Sequence, residues 1–250
     1  MAIIGPTDDW KDLREGAEEF GISDESVNQI LNAGMELKCP GTKHGNSIKL
    51  NGWLLKQSGK SAMFTNSHAF YDENAKGREP FGECTISSFT GESTFNLADS
   101  VISSASNAPS TDAPQMDRAM VTPESLPENA AALDVNFNPA DYVVGKEVFL
   151  VSRRTSKRGG NSGGVMIQKC TIKKVAPVWN NQPPAILTDC DNEGGVSAGM
   201  YFVRDSAKPE NIKPFALHSR SFEKVGDNKP WDAQKNTTIG LVMDSHFFNF

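Results

Sequence analysis

The chain has 250 residues, enough for one large domain or two small ones, and roughly 70% of its extended surface can be buried on folding. With 25 basic residues against 31 acidic ones the net charge is −6, so no basic surplus exists to neutralise a phosphate backbone, which argues against a nucleic-acid partner. No apolar run approaches the roughly 20 residues of a membrane-spanning helix, so no membrane span is expected.

Met1 to Thr7 has neither the basic nor the apolar region of a secretory leader, so the chain reads as cytosolic or as a mature secreted or periplasmic form with a new start. The stretch from Thr7 to Gly34 is helical in pattern. Trp10, Leu13, Ala17 and Phe20 recur at helical spacing, Ser23 is placed to cap a second helix carrying Val27, Ile30 and Leu31, and Gly34 ends it. Residues 1–38 are therefore expected to form a helical N-terminal extension that packs on the main body.

From Ser47 onward the texture changes to short strands punctuated by 21 glycines and 14 prolines spread along the chain. Strands are expected at Ile48–Leu55, Ala62–Thr65, Thr85–Phe89, Val101–Ser103 and Ala119–Val121, with a polar surface loop from Ser103 to Pro114. A Pro-, Asn- and Ala-rich connection follows, then a second set at Glu147–Ser152, Val165–Ala176, Ala185–Thr188, Gly199–Val203, Phe215–Ser219 and Thr238–Val242. The expected organisation is one β unit over 39–125, a linker over 126–144 and a second β unit over 145–250. The four cysteines lack CxxC spacing; they divide two to each half, which allows Cys39 with Cys84 and Cys170 with Cys190, or four buried thiols.

Hydrolysis by a serine needs a base for the hydroxyl proton, a carboxylate that holds the base in one tautomer, and amide donors for the oxyanion. The chain has only four histidines, so the base can be sought by context. His44 and His246 have no motif around them. His68 follows the apolar strand end Ala62-Met63-Phe64 through a small polar turn, a placement that brings a side chain to a barrel rim. Asp117, in Met116-Asp117-Arg118-Ala119, leads into another apolar strand. Two glycine-rich loops offer a serine: Gly159-Gly160-Asn161-Ser162-Gly163-Gly164, and Gly194-Gly195-Val196-Ser197-Ala198-Gly199.

The order His68, Asp117, then a serine in a Gly-x-Ser loop resembles the chymotrypsin-fold serine proteases, over roughly Cys39 to Val242. The resemblance implies an all-β protein of two six-stranded antiparallel β-barrels with the helical extension outside them. It implies a peptidase acting on protein or peptide, with no cofactor and no metal. Ser162 has the better-spelled motif, but Asp117 to Ser162 spans only 45 residues. Ser197 gives gaps of 49 and 80 residues, against about 45 and about 93 in the chymotrypsin template. Ser197 is therefore the expected nucleophile, with His68 as base, Asp117 as its orienting carboxylate, and the N–H groups of Gly195 and Ser197 as the oxyanion hole.

Ala198 stands where the family has glycine, and Val196 stands where trypsin-like zymogens keep an activating aspartate, so activation of that kind is not expected. Asp191, six residues before Ser197, matches the carboxylate of a trypsin pocket. The whole stretch from Cys190 through Asp191, Asn192 and Glu193 to Ser197 looks more like the bacterial V8-like glutamyl endopeptidases. In those enzymes a histidine at the place of His218 binds an acidic side chain, which Ser219, Arg220 and Ser221 are positioned to assist. The expected cleavage is after Glu or Asp. Ala198 and Arg220 also suggest a competing reading, a protease homologue with weak or no turnover that binds partners.

Overall fold

The computed structural model describes residues 10–39, 48–57, 59–70, 84–91, 94–97, 101–104, 114–123, 126, 128–153, 164–178, 180–190, 196–222 and 237–250. The structure opens with a two-residue strand β1 (Lys11–Asp12), followed by α1 (Leu13–Phe20) and α2 (Asp24–Ala33). Both helices start on side-chain caps: Asp12 Oδ1 accepts from Arg14 N at 3.0 Å, and Ser23 Oγ accepts from Ser26 N at 3.2 Å, as the sequence around Ser23 predicts. Their buried faces, Leu13 and Ala17 on α1 and Val27 and Ile30 on α2, follow helical periodicity. Gly16 lets α1 sit directly on the second sheet, because a β-carbon there would lie 2.4 Å from the Ile167 side chain.

Two sheets follow. The first holds β2 (Gly34–Cys39), β3 (Ile48–Gln57), β4 (Lys60–Thr65), β5 (Thr85–Ser88), β6 (Thr94–Asn96), β7 (Val101–Ser104), β8 (Ala119–Thr122) and the short β9 (Leu133–Asp134). Its order is β6-β5-β2-β3-β4-β8-β7, with β9 parallel to β3. Its two edge strands, β6 and β7, are consecutive in the chain. The second sheet holds β10 (Glu147–Arg153), β11 (Val165–Ala176), β12 (Ala185–Thr188), β13 (Met200–Arg204), β14 (Ile212–Phe222) and β15 (Thr237–Val242). These six close into an antiparallel barrel through the β11–β12 pairing, and β1 adds to β11 outside it.

The fold is thus all-β with two short helices, as expected. Four strands, β1, β2, β6 and β9, lie outside the predicted set. Gly34 ends α2 and also begins β2, so the first sheet starts inside the stretch read as extension. β6 and β9 are very short, and β9 draws part of the 126–144 connection onto the first sheet. Cys39–Cys84 and Cys170–Cys190 are both disulfide-bonded. The first joins β2 to the residue preceding β5; the second ties β11 to the second residue after β12.

Strand alternation sorts the core. On β10, Val148 and Leu150 enter the barrel interior with Ile172, Ile186, Tyr201 and Val242. Phe149 and Val151 point the other way, into a cluster that also takes Leu13, Ala17, Val27 and Ile30 from the helices and Trp53, Leu55 and Phe89 from the first sheet. That two-sided burial explains why β10 reads as an unbroken apolar run. The first sheet encloses its own cluster of Met35, Leu37, Leu50, Leu54, Met63, Ile86 and Val121.

Candidate active site

β4 and β8 are antiparallel neighbours whose last register pair is Thr65 with Ala119. Just beyond that pair the two chains carry His68, on a single 3₁₀ turn (Ser67–Ala69), and Asp117. Ser67 Oγ closes the gap by donating to Arg118 O at 2.6 Å. His68 N then donates to Asp117 Oδ1 at 3.0 Å, and His68 Nδ1 lies 2.8 Å from Asp117 Oδ2. Asp117 is fully buried, whereas the His68 side chain is 27% exposed. A buried carboxylate accepts, so the Nδ1 proton is held toward Asp117 and the Nε2 lone pair is left free on the open side.

The serine comes from the other sheet. Val196 to Gly199 form a tight turn closed by Gly199 N donating to Val196 O at 2.7 Å. Ala198 sits in the left-handed region at φ 55°. Its β-carbon does not open the turn: Ala198 is fully buried, its N–H donates to His218 O at 3.1 Å, and its carbonyl accepts from Trp53 Nε1 at 2.8 Å. The Ser197 carbonyl accepts from Asn51 N at 3.1 Å and Asn51 Nδ2 at 2.9 Å.

His218 and Ser219, on β14, are where these parts meet. Ser219 Oγ donates to Asp117 Oδ2 at 3.3 Å. The His218 carbonyl accepts both the Ala198 N–H and, at 3.1 Å, Asn66 Nδ2, which also donates to Asp117 O at 2.9 Å. The strand that borders the serine turn is therefore hydrogen-bonded to the residues that carry and orient His68. A bulge falls between His218 and Arg220.

The His218 ring is buried, 2% exposed, in a set of hydroxyls. Its Nδ1 is 3.3 Å from the Tyr201 hydroxyl, which is 2.7 Å from Thr238 Oγ1, itself 2.6 Å from Thr188 Oγ1. Burial lowers the His218 pKa to about 3, charge on His68 pushes it the same way, and Asp117 opposes both. Burial likewise raises Tyr201 to about 12, so this cluster is neutral at pH 7. Gly240 makes room for the Tyr201 ring, which a β-carbon there would meet at 2.8 Å.

Of the expected site residues, the structure brings together His68, Asp117, Ser197, His218 and Ser219. Arg220 and Ser221 are described as backbone of β14 only. Asp191, Asn192 and Gly195 lie outside the described residues, as does the competing Ser162. Among the described residues no cluster of His, Cys, Asp or Glu could hold a metal, and no helix is long and apolar enough to cross a membrane. The sequence reading missed Asn51, Trp53, Asn66 and the Tyr201–Thr238 pair. An asparagine amid the apolar residues of β3, sharing a strand face with Trp53, was the available signal.

His246, read as having no motif, pairs with Asp244 at 2.8 Å. It belongs to a C-terminal segment gripped by Arg118, the residue after Asp117. Arg118 donates to the carbonyls of Gln115, His246, Phe247 and Asn249 and to Gln182 Oε1.

No known family profile and no curated protein sequence matches the chain. Solved structures do. A Glu endopeptidase solved with MPD superposes with TM-score 0.63 at 11% identity, covering 98% of this chain and 95% of that one. A thermostable serine protease from an extremophilic microorganism gives TM-score 0.59 at 13% identity, over 87% and 94%. Protease Anisep from Arthrobacter nicotinovorans gives 0.55 at 14% identity, over 85% and 90%. At these identities the likeness is one of fold: the chain has the chymotrypsin-like fold that these proteases share.

Proposed function

We propose that the protein is a serine endopeptidase working through His68, Asp117 and Ser197. The observation that carries this reading is the double hydrogen bond from His68 to the buried Asp117 carboxylate, on the seam to which the Ser197 turn is anchored. Ser197 Oγ attacks the peptide carbonyl and its proton passes to Nε2 of His68. Asp117 keeps the ring in that tautomer and stabilises the imidazolium. The N–H groups of Ser197 and Gly195 receive the oxyanion, each contributing a few kcal/mol. The proton is then returned to the leaving amine, and water repeats the sequence to release the acyl group from Ser197.

The substrate residue before the cut is Glu or Asp. His218 supports this: its buried imidazole offers a hydrogen bond to a carboxyl group, whereas a basic side chain would find no counter-charge on it. In this reading Asp191, Asn192, Ser219, Arg220 and Ser221 are the remaining candidates for binding the substrate. The two disulfides favour an oxidising compartment, secreted or periplasmic. The competing view, a homologue without turnover, draws no support from Ala198, whose own N–H and carbonyl are both hydrogen-bonded.

A fluorophosphonate probe tests the reading. Labelling of the full chain that is lost in Ser197→Ala and kept in Ser162→Ala supports it; the reverse pattern moves the nucleophile, and an unlabelled wild type favours the non-catalytic homologue. A peptide-library profile dominated by Lys, Arg or large apolar residues before the cut would overturn the acidic preference.

A further inference from the structure

Two residues of β3, in the first sheet, reach across the seam to consecutive carbonyls of the serine turn: Asn51 to Ser197 and Trp53 to Ala198. Strand alternation puts them on one face. The pairing of β3 with β4 ends at Trp53 with Phe64, so the ladder position of Asn51 on that edge is open to other partners. The Asn51 N–H goes to Ser197 O, and the Asn51 carbonyl accepts the hydroxyl of Thr65, three residues before His68, at 2.7 Å.

The Asn51 side chain is 1% exposed and committed at both ends. Its Oδ1 accepts Arg153 N at 2.7 Å, while its Nδ2 donates to Ser197 O at 2.9 Å and to Ser152 Oγ at 3.0 Å. A carboxylate of the same shape would keep the first bond, lose the other two and set negative charge against a carbonyl oxygen. An amide is the one group of that size that serves an N–H on one side and a carbonyl on the other.

We propose that Asn51 is a positioning residue of the nucleophile, a post that spaces the Ser197 turn from the strand end delivering His68. This rests on the peptidase reading and adds to it. Ser197 and His68 come from different sheets, and proton transfer between them needs their separation set to a fraction of an ångström; a 1 Å misplacement costs about 100-fold in rate. Asn51 is bonded to both approaches, to Ser197 on one side and to Thr65 on the other.

The test is Asn51→Asp in the full chain, read by the rate of fluorophosphonate labelling and by kcat and KM on a peptide substrate. Labelling rate and kcat are expected to fall about 100-fold with KM retained and labelling still reaching completion. Ser152→Ala, which removes the other acceptor of Nδ2, is expected to label at the wild-type rate. Asn51→Asp that labels at the wild-type rate overturns the proposal, and so does Ser152→Ala that loses as much as Asn51→Asp. If Asn51→Asp does not fold, Asn51→Ser, too short to reach Ser197 O, is read in the same way. A wild type that takes no probe overturns the peptidase reading itself, whereas a labelled wild type with an equally labelled variant overturns only the role of Asn51.

Discussion

Ser219 and Asp117 are joined across the seam: the Ser219 hydroxyl donates to Oδ2 of Asp117, the oxygen that also faces Nδ1 of His68. The carboxylate is thus fixed by groups from both sheets, and the two bonds differ in what they do for the reaction. Asp117→Asn presents an N–H to a ring nitrogen that must donate, so kcat is expected to drop about 10⁴-fold. Ser219→Ala removes one bond to a charged group and leaves the tautomer intact, for a loss of about tenfold. Steady-state kinetics on the two variants, with circular dichroism to confirm folding, check the ranking.

Ala198→Gly relieves the left-handed strain of the serine turn. The gain of about 1–2 kcal/mol is offset by the greater freedom of glycine in the unfolded chain, leaving a net stabilisation below about 1 kcal/mol. Activity is expected to stay within about twofold, because the turn is already formed. Urea denaturation and kcat/KM measure both, and a rise of orders of magnitude in activity would mean that alanine holds the turn out of place.

His218 makes stability depend on acid. Its pKa is near 3 in the folded chain and near 6.5 when unfolded, so between those values the unfolded state binds a proton that the native state refuses. The contribution is flat above about pH 6.5 and destabilising as pH falls toward 3, on the order of a few kcal/mol. His218→Gln is expected to lose this slope. Melting temperatures of wild type and variant from pH 7 to pH 4 should converge or cross.

Arg118→Lys keeps the charge but cannot serve the carbonyls of Gln115, His246, Phe247 and Asn249 together with Gln182. Buried acceptors left without donors cost about 1–3 kcal/mol each before relaxation, so a total loss of about 3 kcal/mol or more is expected in chemical denaturation. Phe64, packed against Phe247, Phe248 and Phe250, should loosen with it, which tryptophan or aromatic near-UV signals would report.

How much of this was legible in the sequence depends on range. β11 and β12 were read to the residue, because their apolar content is a local property. β2 was hidden by Gly34, which serves as helix end and strand start at once, and β6 by its length of three residues. His68 and Asp117 could be found because each lies at the mouth of a strand and the order of the set is diagnostic. Asn51 and Asn66 could not, since their partners Ser197 and His218 are 146 and 152 residues away. Nothing local marks a side chain whose task is to cross between sheets. Nor does anything local mark Arg118, whose partners His246 and Asn249 lie 128 and 131 residues away.

The apolar cluster that draws on α1, α2, Trp53, Phe89, Phe149 and Phe202 has a thermodynamic corollary. Opening either sheet would strip cover from the other, and from both helices, in one event. Heat should therefore unfold the molecule in a single calorimetric transition, with van't Hoff and calorimetric enthalpies in agreement, although its strands form two separate sheets. A protein built in this way would expose its own internal peptide bonds to any peptidase all at once or hardly at all, which protects it from being nicked at one half while the other stays folded.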